Sequence, residues 1–67
     1  MTKQEAIQAM RSGSKIRHRY FNRNEWMMFA DNGHYQFEDG VECPPILFWR
    51  DRSGIEWNDD WEIYNDK

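Results

Sequence analysis

The sequence predicts a small α+β domain: an N-terminal helix packed on an antiparallel sheet of about four to five strands, with a short helical turn near residues 45–50. Three observations predict it. A capped amphipathic stretch opens the chain, turn signals cut the middle into short alternating runs, and a Pro-Pro pair introduces a compact apolar segment.

Thr2-Lys3-Gln4-Glu5 has the capping-box form, in which a hydroxyl and a carboxylate three residues apart each satisfy a free backbone N–H. Ala6, Ile7, Ala9 and Met10 then share one face at helical spacing, and Gly13 is placed to end the helix in the left-handed conformation. Lys15 to Phe21 reads as a strand, with Ile16, His18 and Tyr20 on one face and Arg17, Arg19 and Phe21 on the other. Asn22-Arg23-Asn24 is a turn, and Glu25 to Ala30 a second strand. Asn32-Gly33 is a strong hairpin signal, from which His34 to Glu38 returns antiparallel. Asp39-Gly40 turns again into a short extended piece, Val41 to Cys43. Pro44-Pro45 can start a helical turn, in which Ile46, Leu47, Phe48 and Trp49 supply buried bulk until Ser53-Gly54 breaks it. Trp57 to Asp60 reads as a turn and Trp61 to Tyr64 as a last strand, with Trp61 and Ile63 toward the core.

No repeat or linker interrupts the 67 residues, so residues 1–67 form one domain. A domain of this size buries only about 60% of the surface its unfolded chain exposes, and needs reinforcement. Its single cysteine, Cys43, excludes an internal disulfide, and His18, His34 and Cys43 lack the paired spacing of a zinc site. Association is the remaining support. With 4 Trp, 3 Tyr and 4 Phe, the chain carries more aromatic bulk than one small core readily encloses, so a homo-oligomer is expected. The N-terminal residues are polar and helical in pattern, unlike a secretory leader, and no apolar run approaches the ~20 residues of a membrane span. The expected location is the cytoplasm.

A net charge of −3 argues against binding nucleic acid by bulk charge. The charge is unevenly placed. Arg11, Lys15, Arg17, Arg19 and Arg23 stand in a stretch without an acid, whereas Glu56, Asp59, Asp60, Glu62 and Asp66 stand in one without Lys or Arg. Neither a catalytic nor a metal constellation is complete, so an enzyme is not expected and no cofactor is implied. Cys43 has His18 and His34 as formal bases, but its neighbour Glu42 is an acid, and a small half-buried thiol accounts for it. Gly13, Gly33, Gly40 and Gly54 are scattered turn and cap residues rather than a phosphate loop.

The informative constellation is the first strand, where Arg17, Arg19, Tyr20 and Phe21 place guanidinium forks beside flat rings. Arg matches phosphate geometry and rings stack on bases, a pairing that suits a nucleotide. The alternative stays open that Arg17 and Arg19 are solvated or pair with the acids of the last segment, while Tyr20 and Phe21 are core.

Glu5-Ala6-Ile7-Gln8-Ala9-Met10-Arg11-Ser12-Gly13-Ser14-Lys15-Ile16-Arg17, the aromatic Phe21, and the closing Asp60-Trp61-Glu62-Ile63 together resemble the small phage proteins of the Thoeris anti-defence 2 family. The resemblance covers both ends of the chain, with Phe21 at the family's Trp position. Phe48-Trp49-Arg50 and Glu56-Trp57-Asn58-Asp59 replace the family's usual segment before the closing Asp-Trp. It implies a sponge: a homo-oligomer, often a tetramer in this family, that sequesters a nucleotide immune signal in the host bacterial cytoplasm without cleaving it. The implied ligands are cyclic ADP-ribose isomers of Thoeris and, for some members, cyclic dinucleotides. On that resemblance Phe21 stacks on a base and Asp60 accepts hydrogen bonds from a ribose or base edge, while Trp61 suits the core. Arg17 and Arg19 are candidates for phosphate, and Trp26 or Asn58 for the pocket wall. Nanomolar affinity corresponds to about −12 kcal/mol. Stacking supplies ~1–3 kcal/mol per base and a charged hydrogen bond ~1.5–3 kcal/mol, so several contacts must converge, most simply between subunits. The competing expectations are a small phage protein acting through protein–protein contacts, as a host-protein inhibitor or structural component, and a single-strand nucleic-acid binder disfavoured by the acidic balance.

Overall fold

The computed structural model describes residues 1–65; Asp66, the last acid of the closing segment, lies outside them. Helix α1 (Lys3–Arg11) begins on the expected capping box: the Glu5 N–H donates to Thr2 Oγ1 at 3.2 Å and the Thr2 N–H to Glu5 Oε1 at 2.8 Å. It ends in a Schellman pattern, with the Gly13 N–H on the Met10 carbonyl and the Ser14 N–H on the Ala9 carbonyl. Gly13 has φ 92°, where a side chain would be strained. Ala6 and Met10 are buried, and Ile7 and Ala9 flank them against the core.

Five strands form one antiparallel sheet: β1 (Ile16–His18), β2 (Met27–Phe29), β3 (Tyr35–Phe37), β4 (Glu42–Cys43) and β5 (Trp61–Ile63), in the order β4-β3-β2-β1-β5. The first four make a meander, and the last returns to the free side of β1, pairing Arg17 with Glu62 and His18 with Trp61. Helix α1 packs on β5, β1 and β2. The Asn32-Gly33 hairpin closes as expected, with the Ala30 N–H on the His34 carbonyl at 2.8 Å and Gly33 at φ 86°. Helix α2 (Pro45–Arg50) starts on the double proline, and a 3-10 turn (Ile55–Trp57) leads toward β5.

Three expectations are corrected. The first strand stops at His18 rather than running to Phe21. His18 Nδ1 accepts the Tyr20 N–H at 3.1 Å and its carbonyl accepts the Phe21 N–H at 2.9 Å, so the chain bends here. The bend reverses the alternation: Tyr20 turns outward and Phe21, 7% exposed, turns into the core. In α2 only Phe48 is buried and Trp49 half-buried, whereas Ile46 is 80% exposed and Leu47 is exposed with it, because a six-residue helix lying on a sheet buries one side only. Ile63 is 41% exposed, at the last position of an edge strand.

The aromatic surplus is largely absorbed inside one chain. Phe37, Phe48, Tyr35, Trp49, Trp61 and Phe21 follow one another in ring contacts whose centroids lie 5.4 to 5.9 Å apart at the Phe37–Phe48, Tyr35–Phe48, Trp49–Trp61 and Phe21–Trp61 steps. Apart from Tyr20, at 61%, the exposed apolar side chains are aliphatic or Met, chiefly Ile46, Leu47, Val41 and Ile55, the last 84% exposed. Among the described residues no helix is long and apolar enough to cross a membrane.

Candidate functional site

Arg17, Arg19 and Asp60 meet at one open depression of about 380 Å³, which Met1, Asp59 and Glu62 help to line. Pairing of β1 with β5 brings them together: Arg17 stands opposite Glu62 in register, and the Arg19 N–H continues the ladder by donating to the Asp60 carbonyl at 3.1 Å. Arg17 is the more constrained of the two cations. Its Nη1 donates to Glu62 Oε1 at 3.0 Å and its Nη2 to the Phe21 carbonyl at 3.2 Å, while its buried Nε has no partner. Arg19 Nη1 lies 3.8 Å from Asp60 Oδ2, both side chains well exposed, an arrangement worth zero to about 1 kcal/mol. The cations thus meet the acids of the closing segment; the Arg19–Asp60 pair is well exposed, whereas the Arg17 side chain is mostly covered.

Phe21, Trp26 and Asn58 do not join this group. Phe21 is a core ring, 5.7 Å from Trp61 and 6.4 Å from Trp57 between centroids, so base stacking would require it to leave the core. Trp26 lies under the Lys15 ammonium at 4.3 Å and beside Tyr64 at 6.3 Å. Tyr64 lines a neighbouring groove of about 510 Å³ that shares Arg17 and Glu62 with the first. Asn58 follows the 3-10 turn, exposed, and its carbonyl accepts the Lys3 N–H at 3.0 Å.

The residue that organises this end, His18, reads in the sequence as a strand position sharing a face with Ile16 and as a formal base for Cys43. His18 is completely buried. Because its Nδ1 accepts the Tyr20 N–H, the ring proton sits on Nε2, which donates to the Glu56 carbonyl at 3.0 Å and the Asp59 carbonyl at 2.8 Å. The rings of Trp57, Trp61 and Tyr20 surround it at 4.2, 4.8 and 5.2 Å. His18 therefore pins the segment that carries Asn58, Asp59 and Asp60. The legible signal was a histidine at an inward position beside Ile16. Asp60 itself has φ 68°, a left-handed conformation that Asp tolerates better than bulkier residues.

Cys43 and His18 sit on β4 and β1, with β3 and β2 between them, so they form no nucleophile–base pair; the Cys43 Sγ faces the Pro44 carbonyl at 3.5 Å. Among the described residues no group of three or more His, Cys, Asp or Glu is placed to hold a metal. Elsewhere, Tyr35 is a buried phenol that accepts the Trp49 Nε1–H at 2.8 Å. Burial pushes its pKa above the usual tyrosine value, against the lowering effects of that hydrogen bond and of the Arg11 charge. Comparison of the chain with protein-family models, with curated proteins and with solved structures found no match.

Proposed function

We propose that the protein is a non-enzymatic binder that sequesters a cyclic nucleotide signal, of the cyclic ADP-ribose isomer or cyclic dinucleotide class, as a homo-oligomer in the cytoplasm. The observation that carries this reading is the convergence of Arg17, Arg19 and Asp60 on one open depression at the β1–β5 end of the sheet. Two guanidinium forks can take phosphate oxygens, and a carboxylate beside them can accept from a ribose hydroxyl or a base edge. The depression is shallow and supplies no stacking ring of its own once Phe21 is core, so a second copy must complete the wall. The exposed Ile46, Leu47 and Ile55 supply apolar surface for such association.

The test is a melting experiment with a panel of cyclic ADP-ribose isomers and cyclic dinucleotides, run beside molar mass in solution. A true ligand at a thousandfold excess over Kd adds on the order of 4 kcal/mol of stability, and is recovered unchanged after denaturation. Arg17→Gln and Arg19→Gln should each weaken it. A panel that leaves the melting temperature unmoved sinks the proposal. The same exposed aliphatic side chains favour a second reading, a protein that acts by binding a host protein. A persistent monomer, indifferent to every nucleotide and captured by one host protein through Ile46 and Ile55, would replace the first reading with that one.

A further inference from the structure

A second depression, of about 710 Å³, lies apart from the one described above. It lies between the turn that precedes β2, the hairpin joining β3 to β4, and Arg52, which follows α2. Arg23 and Arg52 both line it, and neither pairs with a carboxylate among the described residues, whereas Arg17, Arg19 and Arg50 each do. Arg23 stands exposed on the turn. Arg52 is held: its Cζ lies 4.0 Å from the Phe48 ring centroid and 5.4 Å from that of Trp57, and its Nη1 donates to the Phe48 carbonyl at 3.4 Å. Its Nε is buried with no hydrogen-bond partner. A guanidinium already fixed on two rings loses little freedom when a ligand arrives, which is the condition for tight recognition by so long a side chain.

Three acids share the groove, which argues against a bare anion. Each has one oxygen committed to the backbone: Glu25 Oε1 to the Asn22 N–H at 3.0 Å, Glu38 Oε2 to the Asp39 N–H at 3.1 Å, and Asp39 Oδ1 to the Val41 N–H at 3.0 Å. That leaves a second oxygen on each to accept from a ligand hydroxyl. We propose that this groove binds a phosphorylated sugar through its terminal phosphate, with Arg23 and Arg52 on the phosphate and Glu25, Glu38 and Asp39 on the hydroxyls, the sugar's apolar face lying toward Phe37. A phosphomonoester has three terminal oxygens to share between two forks, whereas a phosphodiester has two, so the groove selects the monoester. The proposal does not rest on the sequestration reading, because Arg17, Arg19 and Asp60 line a different depression.

The experiment is calorimetric titration of the full chain with ribose 5-phosphate, ribose and inorganic phosphate, repeated on Arg23→Gln, Arg52→Gln, Arg52→Lys and Arg50→Gln. Ribose 5-phosphate is expected to bind, ribose not measurably, and inorganic phosphate about tenfold more weakly or worse. Arg23→Gln should weaken ribose 5-phosphate roughly tenfold and Arg52→Gln further, with lysine at 52 failing to restore it because an ammonium has no fork. Arg50→Gln, at a residue that does not line the groove, should change nothing. Should Arg52→Gln prove unfolded by melting, the exposed Arg23→Gln carries the test alone. Absence of binding to the unmodified chain overturns the proposal, as does full affinity in Arg23→Gln. Equal loss in Arg50→Gln, or inorganic phosphate binding as tightly as the sugar phosphate, overturns it too.

Discussion

His18 on β1 and Tyr35 on β3 are both buried rings with polar atoms, yet their partners differ in kind. His18 meets only backbone: it accepts from Tyr20 and donates to Glu56 and Asp59. Tyr35 meets one side chain, the Trp49 indole, and is otherwise enclosed by Phe29, Phe48 and Trp49. Backbone partners at a polar ring fix where a chain segment runs. A side-chain partner fixes only how two rings sit. The β1–β5 end, which carries Arg17, Arg19 and Asp60, is therefore held by specific hydrogen bonds, whereas the packing of α2 on β3 is held mainly by shape and area.

The contrast is tested most severely by His18→Ala. It opens a cavity where a fully buried ring stood and removes the partner of two part-buried carbonyls and one N–H, so a loss of ~3 kcal/mol is expected in urea unfolding. A cost under about 1 kcal/mol would mean that water replaces the ring and that the closing segment is not pinned there. Tyr35→Phe comes next. It keeps the ring and removes one acceptor, leaving the Trp49 N–H unmet, for an expected cost of about 1 kcal/mol. The two ends would be equivalent if this change cost as much as the first.

Tyr35 also gives a pH signature. Its folded pKa is raised by burial, so the folded state holds the phenolic proton more tightly than the unfolded chain does. The stabilisation is complete below the unfolded value of about 10 and is lost as pH rises through the folded value. Unfolding measured from pH 9 to 11 should show stability falling more steeply in the unmodified chain than in Tyr35→Phe. Parallel slopes would show that other groups set the alkaline limit.

Elements with local causes were legible in the sequence. The capping box at Thr2 and Glu5, the Gly13 terminator, the Asn32-Gly33 hairpin and the proline start of α2 each depend on neighbours within a few residues. The end of β1 was not legible, because it depends on His18 reaching Glu56 and Asp59, some forty positions away in the chain, while taking the Tyr20 N–H. That bend parts Phe21 from the face of Arg17 and Arg19 and brings it into the core, one of the two readings the sequence left open, while Tyr20 turns outward. At the candidate site, opposite charge in the first strand and closing segment left it open that Arg17 and Arg19 pair with the closing acids, and the β1–β5 register selects Glu62 and Asp60 as the partners. Nothing in the spacing foretold that Arg52 would lie on Phe48 and Trp57, since ring stacking of that kind is a tertiary contact.

The smallest expected effect separates holding the closing segment from using it. Asp60 sits at φ 68°, where a side chain costs roughly 1–2 kcal/mol relative to glycine. Replacing it with Gly relieves that strain, gives back about 0.5–1 kcal/mol in chain entropy, and removes an exposed pair with Arg19 worth at most about 1 kcal/mol. These contributions nearly cancel, so Asp60→Gly should melt within a few degrees of the unmodified chain, while Asp60→Val, β-branched at a left-handed position, should lose stability. If Asp60 accepts hydrogen bonds from a sequestered nucleotide, the glycine variant keeps its fold and loses affinity, in the reverse of the His18→Ala pattern, where stability falls first. A glycine variant as destabilised as His18→Ala would instead make the Asp60 side chain a second pin on the segment, and would remove the reason for reading it as free to bind.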